Sequence, residues 1–389
     1  MSRFLKNFVI IALILFGSRL YAQSELEDPD ELNGRDLDFN ILQYALPFLT
    51  IAPDSRAGAM GDAGAATTPD INSMHWNPSK YAMIDGDGGV SLSYTPWLRK
   101  LVPDIDLLYL SGFYRLDDKQ VIGGSLLYFS LGEIQFTNDQ GDPGGQHTPN
   151  EFAIDATYAR LLTEKLSMGV AFRFMRSDIT GNLVEQSKAG ISFAADYSMY
   201  YSTDLEIDEK ESELAFGLNI SNMGRKVSYS EDNRRDEFIP TNLRLGSRLT
   251  MDLDEYNQIS LTADINKLLI PTPEYIEDTV SNNNSDIGPA EGMFKSFYDA
   301  PRGFEEEMEE IMISIGAEYW YSQQFAIRAG YFNEAENKGN RKYFTLGIGL
   351  KLNVITLDFA YLVPTSGRQN PLANTTRFTL SFEFNKFKK

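Results

Sequence analysis

The chain has 389 residues, 42% hydrophobic, 12% aromatic and 23% charged, with a formal net charge of −20 and no Cys. The acidic balance argues against a nucleic-acid partner, which needs clustered Lys and Arg, and the missing Cys removes disulfides, thiolate metal sites and cysteine nucleophiles. Two histidines, His75 and His147, are too few for most zinc or triad chemistry, whereas 25 Phe, 20 Tyr and 3 Trp exceed what a disordered chain carries.

Arg3 and Lys6 precede the apolar run Phe8 to Phe16, and small residues follow up to Ala22. That layout predicts a secretory signal peptide over residues 1–22. No later stretch approaches the roughly 20 apolar residues of a membrane helix. Residues 23–40 form an acidic tail, with seven acids against Arg35 from Gln23 to Asp38, expected on the periplasmic side. Residues 41–88 are not strand-like. Phe48 to Met83 is rich in Gly, Ala and Pro and carries Trp76 and Tyr81 beside Asn77-Pro78. Small residues let backbones approach closely, as a compact plug of short helices and turns requires. In that setting Asn77-Pro78 starts a turn, Trp76 fills space, and Arg56 pairs with an acid.

From residue 89 the hydrophobic period is two, not 3.6. Leu166, Met168, Val170, Phe172 and Phe174 alternate with small or polar residues; so do Phe344, Leu346, Ile348 and Leu350, and Phe378, Leu380, Phe382 and Phe384. About 14 strands follow, near Gly89–Leu98, Ile105–Arg115, Gln120–Phe129, Phe152–Leu161, Leu166–Arg176, Ala189–Met199, Glu213–Ser221, Thr241–Thr250, Asn257–Lys267, Glu310–Trp320, Phe325–Phe332, Lys342–Leu352, Val354–Leu362 and Thr375–Asn385. Alternation fits both a soluble sandwich and a membrane barrel. The connections decide between them. One parity is tight (Leu116–Lys119, Leu162–Lys165, Met251–Tyr256, Tyr321–Gln324, Asn353), with Tyr200–Ser212 as a longer exception. The other is long and polar, 268–309 being the longest. Short turns at one end and long loops at the other mark an outer-membrane barrel, with the long loops extracellular.

On that reading Arg173, Arg244, Arg248, Asp264, Arg328, Lys351, Asp358, Arg377 and Glu383 face the lumen, because a charge facing lipid at mid-bilayer costs about 2–4 kcal/mol. Tyr94, Trp97, Tyr109, Tyr128, Trp320 and Tyr321, at strand ends, are expected in interfacial girdles. Gly141-Asp142-Pro143-Gly144-Gly145 beside His147 is turn chemistry.

Leu268 to Glu310 carries eleven acids against Lys295 and Arg302, almost half of the net charge. Within it Phe294, Phe297 and Tyr298 share one helical face, and Phe304 and Met308 repeat the pattern after Pro301. Aromatic anchors rimmed by charge make interface hot spots, so these five are the candidate partner-binding residues. No catalytic or metal-binding set is expected. Asp54, Arg56, Asp62 and His75 read as plug structure, and the esterase motif G-x-S-x-G is absent.

The stretch from Ala52, APDSRAGAMGDAGAATTPDINSMHWNPSKYAM, resembles the N-terminal signature of the PorV (LptO) family of the Bacteroidetes type IX secretion system. Matching positions include Asp54, Arg56, Gly58, Gly61, Gly64, His75, Trp76, Asn77 and Pro78. More distantly the arrangement is similar to FadL-like barrels, whose N-terminal hatch guards a hydrophobic path. The resemblance implies an all-β transmembrane barrel with an N-terminal helical or irregular plug, no enzymatic activity and no cofactor. It implies as partners cargo C-terminal signal domains, a SprA/Sov-like translocon barrel, a PorU-like sortase attachment complex and outer-membrane lipids. The alternatives are a FadL-like channel for hydrophobic small molecules, favoured by a continuous apolar tunnel, and a lipid A deacylase, for which no nucleophile–base pair stands out.

Overall fold

The computed structural model describes residues 40–384 apart from 138–139, 141, 182–185, 232–235, 273, 277–278, 282–285 and 366–370. The predicted signal peptide, nearly all of the acidic tail, Gly141 and Asn385 lie outside the described residues.

Fourteen antiparallel strands close on themselves. They are β1 (Gly88–Pro96), β2 (Asp106–Arg115), β3 (Gln120–Ser130), β4 (Asn150–Thr163), β5 (Leu166–Asp178), β6 (Gly190–Ile207) and β7 (Lys210–Gly224), then β8 (Asn242–Asp252), β9 (Asn257–Leu268), β10 (Met312–Tyr321), β11 (Phe325–Asn333), β12 (Lys342–Leu352), β13 (Ile355–Pro364) and β14 (Thr376–Phe384). Each pairs with its sequence neighbours, and β1 closes the ring on β14 from Gly88↔Phe384 to Tyr94↔Phe378. Closure removes every sheet edge, the condition for a sheet in lipid. Among the described residues no helix is long and apolar enough to cross a membrane.

The alternation sorts side chains as the period demands. On β12, Phe344, Leu346, Ile348 and Leu350 face outward and are exposed, while Tyr343 and Thr345 are buried. The inward positions carry the charges, so Arg173, Arg248, Asp264, Arg328, Asp358 and Arg377 are all buried in the lumen.

Three readings need correction. The long connection expected at Tyr200–Ser212 is a two-residue turn, Asp208-Glu209, with φ of 52° and 63°, the geometry of the tight hairpin turn. Strand β6 continues to Ile207 and β7 begins at Lys210; Asp204 and Glu206 on the inward parity, next to the acids of the turn, make this stretch read as a polar loop. Second, Tyr109 and Trp320 are not girdle residues. Leu108 and Leu110 are exposed, so parity turns Tyr109 inward, where it is buried, and Trp320 lies under the Arg328 guanidinium at 5.4 Å. Trp97 packs on the luminal cluster around Phe48 and Phe129, leaving Tyr94, Tyr128 and Tyr321 with outward parity. Third, part of the Gly/Pro run is a strand, since Pro143–His147 pairs with Ile134–Thr137 in a short hairpin above the barrel.

Residues 40–87 thread the lumen from one rim to the other. At the long-loop rim the Asn40 N–H donates to Asn337 O (3.2 Å) and the Ala45 N–H to Phe238 O (2.8 Å). At the short-turn rim Arg115 donates to Ile84 O and Gly86 O, just before β1 begins. Asn40, the first described residue, therefore lies at the long-loop rim. The segment has to end where β1 starts, so its other end emerges opposite.

Candidate functional site

The luminal segment is built from short pieces held by side chains. Asp54 caps helix α1 (Ser55–Gly58) by accepting from Ala57 N–H at 3.0 Å, and its other oxygen accepts from Trp76 Nε1 at 2.6 Å. Helix α2 (Ser73–Trp76) is followed by Asn77, whose Nδ2 donates to Ala65 O and, across to β6, Met199 O, each at 2.9 Å. Pro78 then opens a 3-10 turn, Pro78–Met83, where a missing N–H costs nothing.

Close approach explains the glycines. A Cβ on Gly64 would lie 2.3 Å from the Trp76 ring, and one on Gly58 2.9 Å from Arg377 Cδ. Gly61 combines φ +67° with backbone of Tyr331 at 2.5 Å.

Charge fixes the segment laterally. The Arg56 guanidinium binds Glu318 through two bonds, Nε–Oε2 2.9 Å and Nη2–Oε1 2.7 Å, and Asp70 at 2.9 Å. Glu318 also accepts from Arg328 at 2.7 Å, and Arg328 donates to Asp358 at 2.6 Å. Asp264 accepts from both Gly64 N–H (2.7 Å) and Ala65 N–H (2.8 Å). Lys80 Nζ donates to Gly64 O at 2.8 Å and Thr67 Oγ1 at 2.9 Å. Asp62 accepts from the Tyr343 hydroxyl at 2.5 Å. Asp54 and Asp62 both hold structural bonds within the lumen. His75 packs edge-on to Trp76 and Tyr109, beside a cavity of about 60 Å³ that Arg173, Arg244 and Asn242 also line.

Sequence reasoning missed Glu318, Asp155, Asp196, Lys267 and Lys338. Arg173 binds Asp155 at 2.5 Å and Asp196 at 3.1 Å. Parity along their strands would have turned the three acids inward, because each alternates with outward apolar residues.

Among its described residues the long loop after β9 carries a short hairpin, Glu274–Ile276 with Thr279–Ser281, and two helices, α3 (Pro289–Lys295) and α4 (Phe304–Glu309). Gly292 seats α3 on Phe238 and Pro271; a Cβ there would meet Phe238 at 2.7 Å. Helix α3 ends before Phe297 and Tyr298, which were expected on its face. Pro301 ahead has no N–H and disfavours helix at Ala300, so the two aromatics sit in a turn, with Tyr298 N–H donating to Lys295 O at 3.0 Å. All five candidate partner-binding residues face solvent. Phe294, Tyr298 and Phe304 are 74%, 73% and 79% exposed, and Phe297 and Met308 about half exposed.

Helix α4 is inverted relative to an ordinary surface helix. Two of its acids, Glu306 and Glu307, point down, while Phe304 and Met308 point out. Glu306 accepts from Lys338 at 2.6 Å, Glu307 from Lys267 at 2.9 Å, and the following Glu310 from Lys267 at 2.5 Å and Lys338 at 3.0 Å. Burial works to raise the Glu306 pKa, but the bonds from Lys338, Arg302 N–H and Asn40 hold it below the usual range. Asp299 lacks such an ammonium, and burial pushes its pKa up to about 6 despite the Thr272 N–H bond.

A family model, "Type IX secretion system protein PorV", matches residues 35–275, spanning the luminal segment and the first nine strands. The chain belongs to the PorV family. As a PorV-family protein it is an outer-membrane β-barrel component of the type IX secretion system. Solved structures of similar fold include two toluene transporters and a FadL homologue. The Pseudomonas putida toluene transporter TodX is 12% identical with a TM-score of 0.50, over 86% of this chain and 99% of that one. The Ralstonia pickettii toluene transporter TbuX is 12% identical with a TM-score of 0.43, over 86% and 98%. A Pseudomonas aeruginosa FadL homologue is 10% identical with a TM-score of 0.46, over 88% and 100%. At these identities the likeness is one of fold. No curated protein matches this chain in sequence.

Proposed function

We propose that this PorV-family barrel is a non-enzymatic cargo carrier. In this reading it binds the C-terminal signal domain of cargo at the outer surface, partners the SprA/Sov-like translocon barrel, and delivers cargo to the PorU-like attachment complex. Residues 1–22 are a signal peptide removed on export, 41–88 are the plug, and the long loops are extracellular. The observation that carries the reading is the outward set Phe294, Phe297, Tyr298, Phe304 and Met308 on an acidic loop. Leaving a Phe or Met in water forgoes about 1.5–3 kcal/mol of burial, and a partner that covers the set recovers it. Truncating buried aromatic anchors of this kind typically costs 2 kcal/mol or more each.

The filled lumen supports a carrier over a hydrophobic-molecule channel, because charge rather than a continuous apolar path lines the route past Arg56, Glu318 and Arg328. Deleting Glu291–Phe304 should spare membrane insertion and abolish co-purification of cargo signal domains from native outer membranes. Unchanged cargo recovery would sink the proposal.

A further inference from the structure

Two parts of the molecule that are far apart in sequence meet at one carboxylate. Glu306 Oε1 accepts from Asn40 Nδ2 at 3.0 Å and from Lys338 Nζ at 2.6 Å. Asn40 is where the luminal segment enters the barrel, and Glu306 is on the helix that presents Phe304 and Met308. The neighbouring loop completes the junction. Lys338 also reaches Glu310, Asn337 O accepts from Asn40 N–H at 3.2 Å, and Asn337 Nδ2 donates to Glu309 at 2.5 Å. Lys267, at the end of β9, binds Glu307 and Glu310 and so pins the helix to the barrel wall. Asn40, Glu306, Glu307, Glu310, Lys267 and Lys338 are all buried. Each ammonium is shared between two carboxylates, so α4 cannot lift without leaving ionised groups unpaired, and buried ion pairs broken on one side are costly.

We propose that this junction is a strap that couples the luminal segment to the outer helix, so that lifting α4 from the mouth releases the entry of the luminal segment at Asn40. Its use during secretion rests on the docking reading above; the coupling itself needs no partner. Because coupling between two sites is reciprocal, loosening either end loosens the other.

Hydrogen exchange of the full-length protein in detergent, with no other protein added, tests both directions. Glu306→Ala should speed exchange in 41–49 at least threefold, and Asn40→Ala should speed exchange in 304–310 at least threefold. The strands and the Glu305→Ala control, at an exposed position of the same helix, should match wild type. A smaller effect in either direction overturns the strap. Should Glu306→Ala fail to give a folded barrel, judged by its heat-modifiable mobility on electrophoresis, the pair Asn40→Cys and Glu306→Cys decides. Oxidation should slow exchange in both segments, and protection of only one overturns the proposal. Loss of cargo binding with the strap intact, or the reverse, separates this inference from the docking reading.

Discussion

Replacing Arg56 by Met removes the central cation of the luminal network with little change in volume. The Arg56 and Glu318 side chains are 11% and 2% exposed and joined by two bonds. Removing one partner of a buried pair costs about 3–5 kcal/mol. Glu318 keeps Arg328 at 2.7 Å, which puts this loss at the low end, about 3 kcal/mol. Asp70, whose side chain is 23% exposed, is reached by water and adds under about 1 kcal/mol. At 1.4 kcal/mol per decade, about 3 kcal/mol is roughly a 150-fold rise in local opening. Hydrogen exchange of residues 54–76 should accelerate by that order, with the barrel strands unchanged. A double-mutant cycle with Glu318→Gln should return a coupling of about 2 kcal/mol, within the range for neighbours in one network. Unchanged exchange of 54–76 in Arg56→Met would refute the claim that this pair holds the segment in place.

Gly330→Ala places a Cβ 2.1 Å from the backbone of Met60 and Gly61; it should lower the thermal midpoint of the barrel, while Gly288→Ala, with open space around it, should not. Trp76→Phe deletes the 2.6 Å bond to buried Asp54, and leaving that oxygen unsatisfied should cost about 1–3 kcal/mol in chemical denaturation. Asp299 has a raised pKa, about 6 folded against about 3.9 in a free chain. Its contribution to loop order is therefore complete below pH 4 and lost as pH rises through 6. A spin label on the loop should grow more mobile from pH 5 to 7, and Asp299→Asn should flatten that change. Phe294→Ser, Tyr298→Ser and Phe304→Ser combined should leave the barrel's circular dichroism intact and cut signal-domain affinity by at least 100-fold; a change under threefold would point to another docking face.

The barrel was legible because its physics is repetitive. Lipid demands an apolar outer face at every second residue, and Phe344 to Leu350 or Leu166 to Phe174 record that demand directly. Strand ends were less legible, as in Thr203–Ile207, where Asp204 and Glu206 beside the acidic turn Asp208-Glu209 read as a polar loop. The luminal segment was visible as composition only. Gly58, Gly61 and Gly64 announce close approach, but which strand approaches depends on closure of a ring some 300 residues long. Glu318 reads as an ordinary acid until the ring brings it to Arg56, 262 positions away. The acids of α4 were counted as surface charge because a helix with exposed Phe304 and buried Glu306 reverses the usual pattern. Lys267 and Lys338, arriving from the barrel wall and another loop, supply the ammonium partners for that reversal.

The two ends of the molecule divide the work by how firmly each is held. The middle of the lumen contains bonds of a kind that resist displacement: a two-bond Arg56–Glu318 pair, Asp264 on two backbone N–H groups, and backbone against backbone at Gly330 and Gly61. At the mouth the helix is held by buried ammonium–carboxylate contacts of Lys267 and Lys338 with Glu306, Glu307 and Glu310. The negative charge of the Leu268–Glu310 loop is thus divided: Glu306, Glu307 and Glu310 are buried against Lys267 and Lys338, whereas Glu291 and Glu305 are exposed.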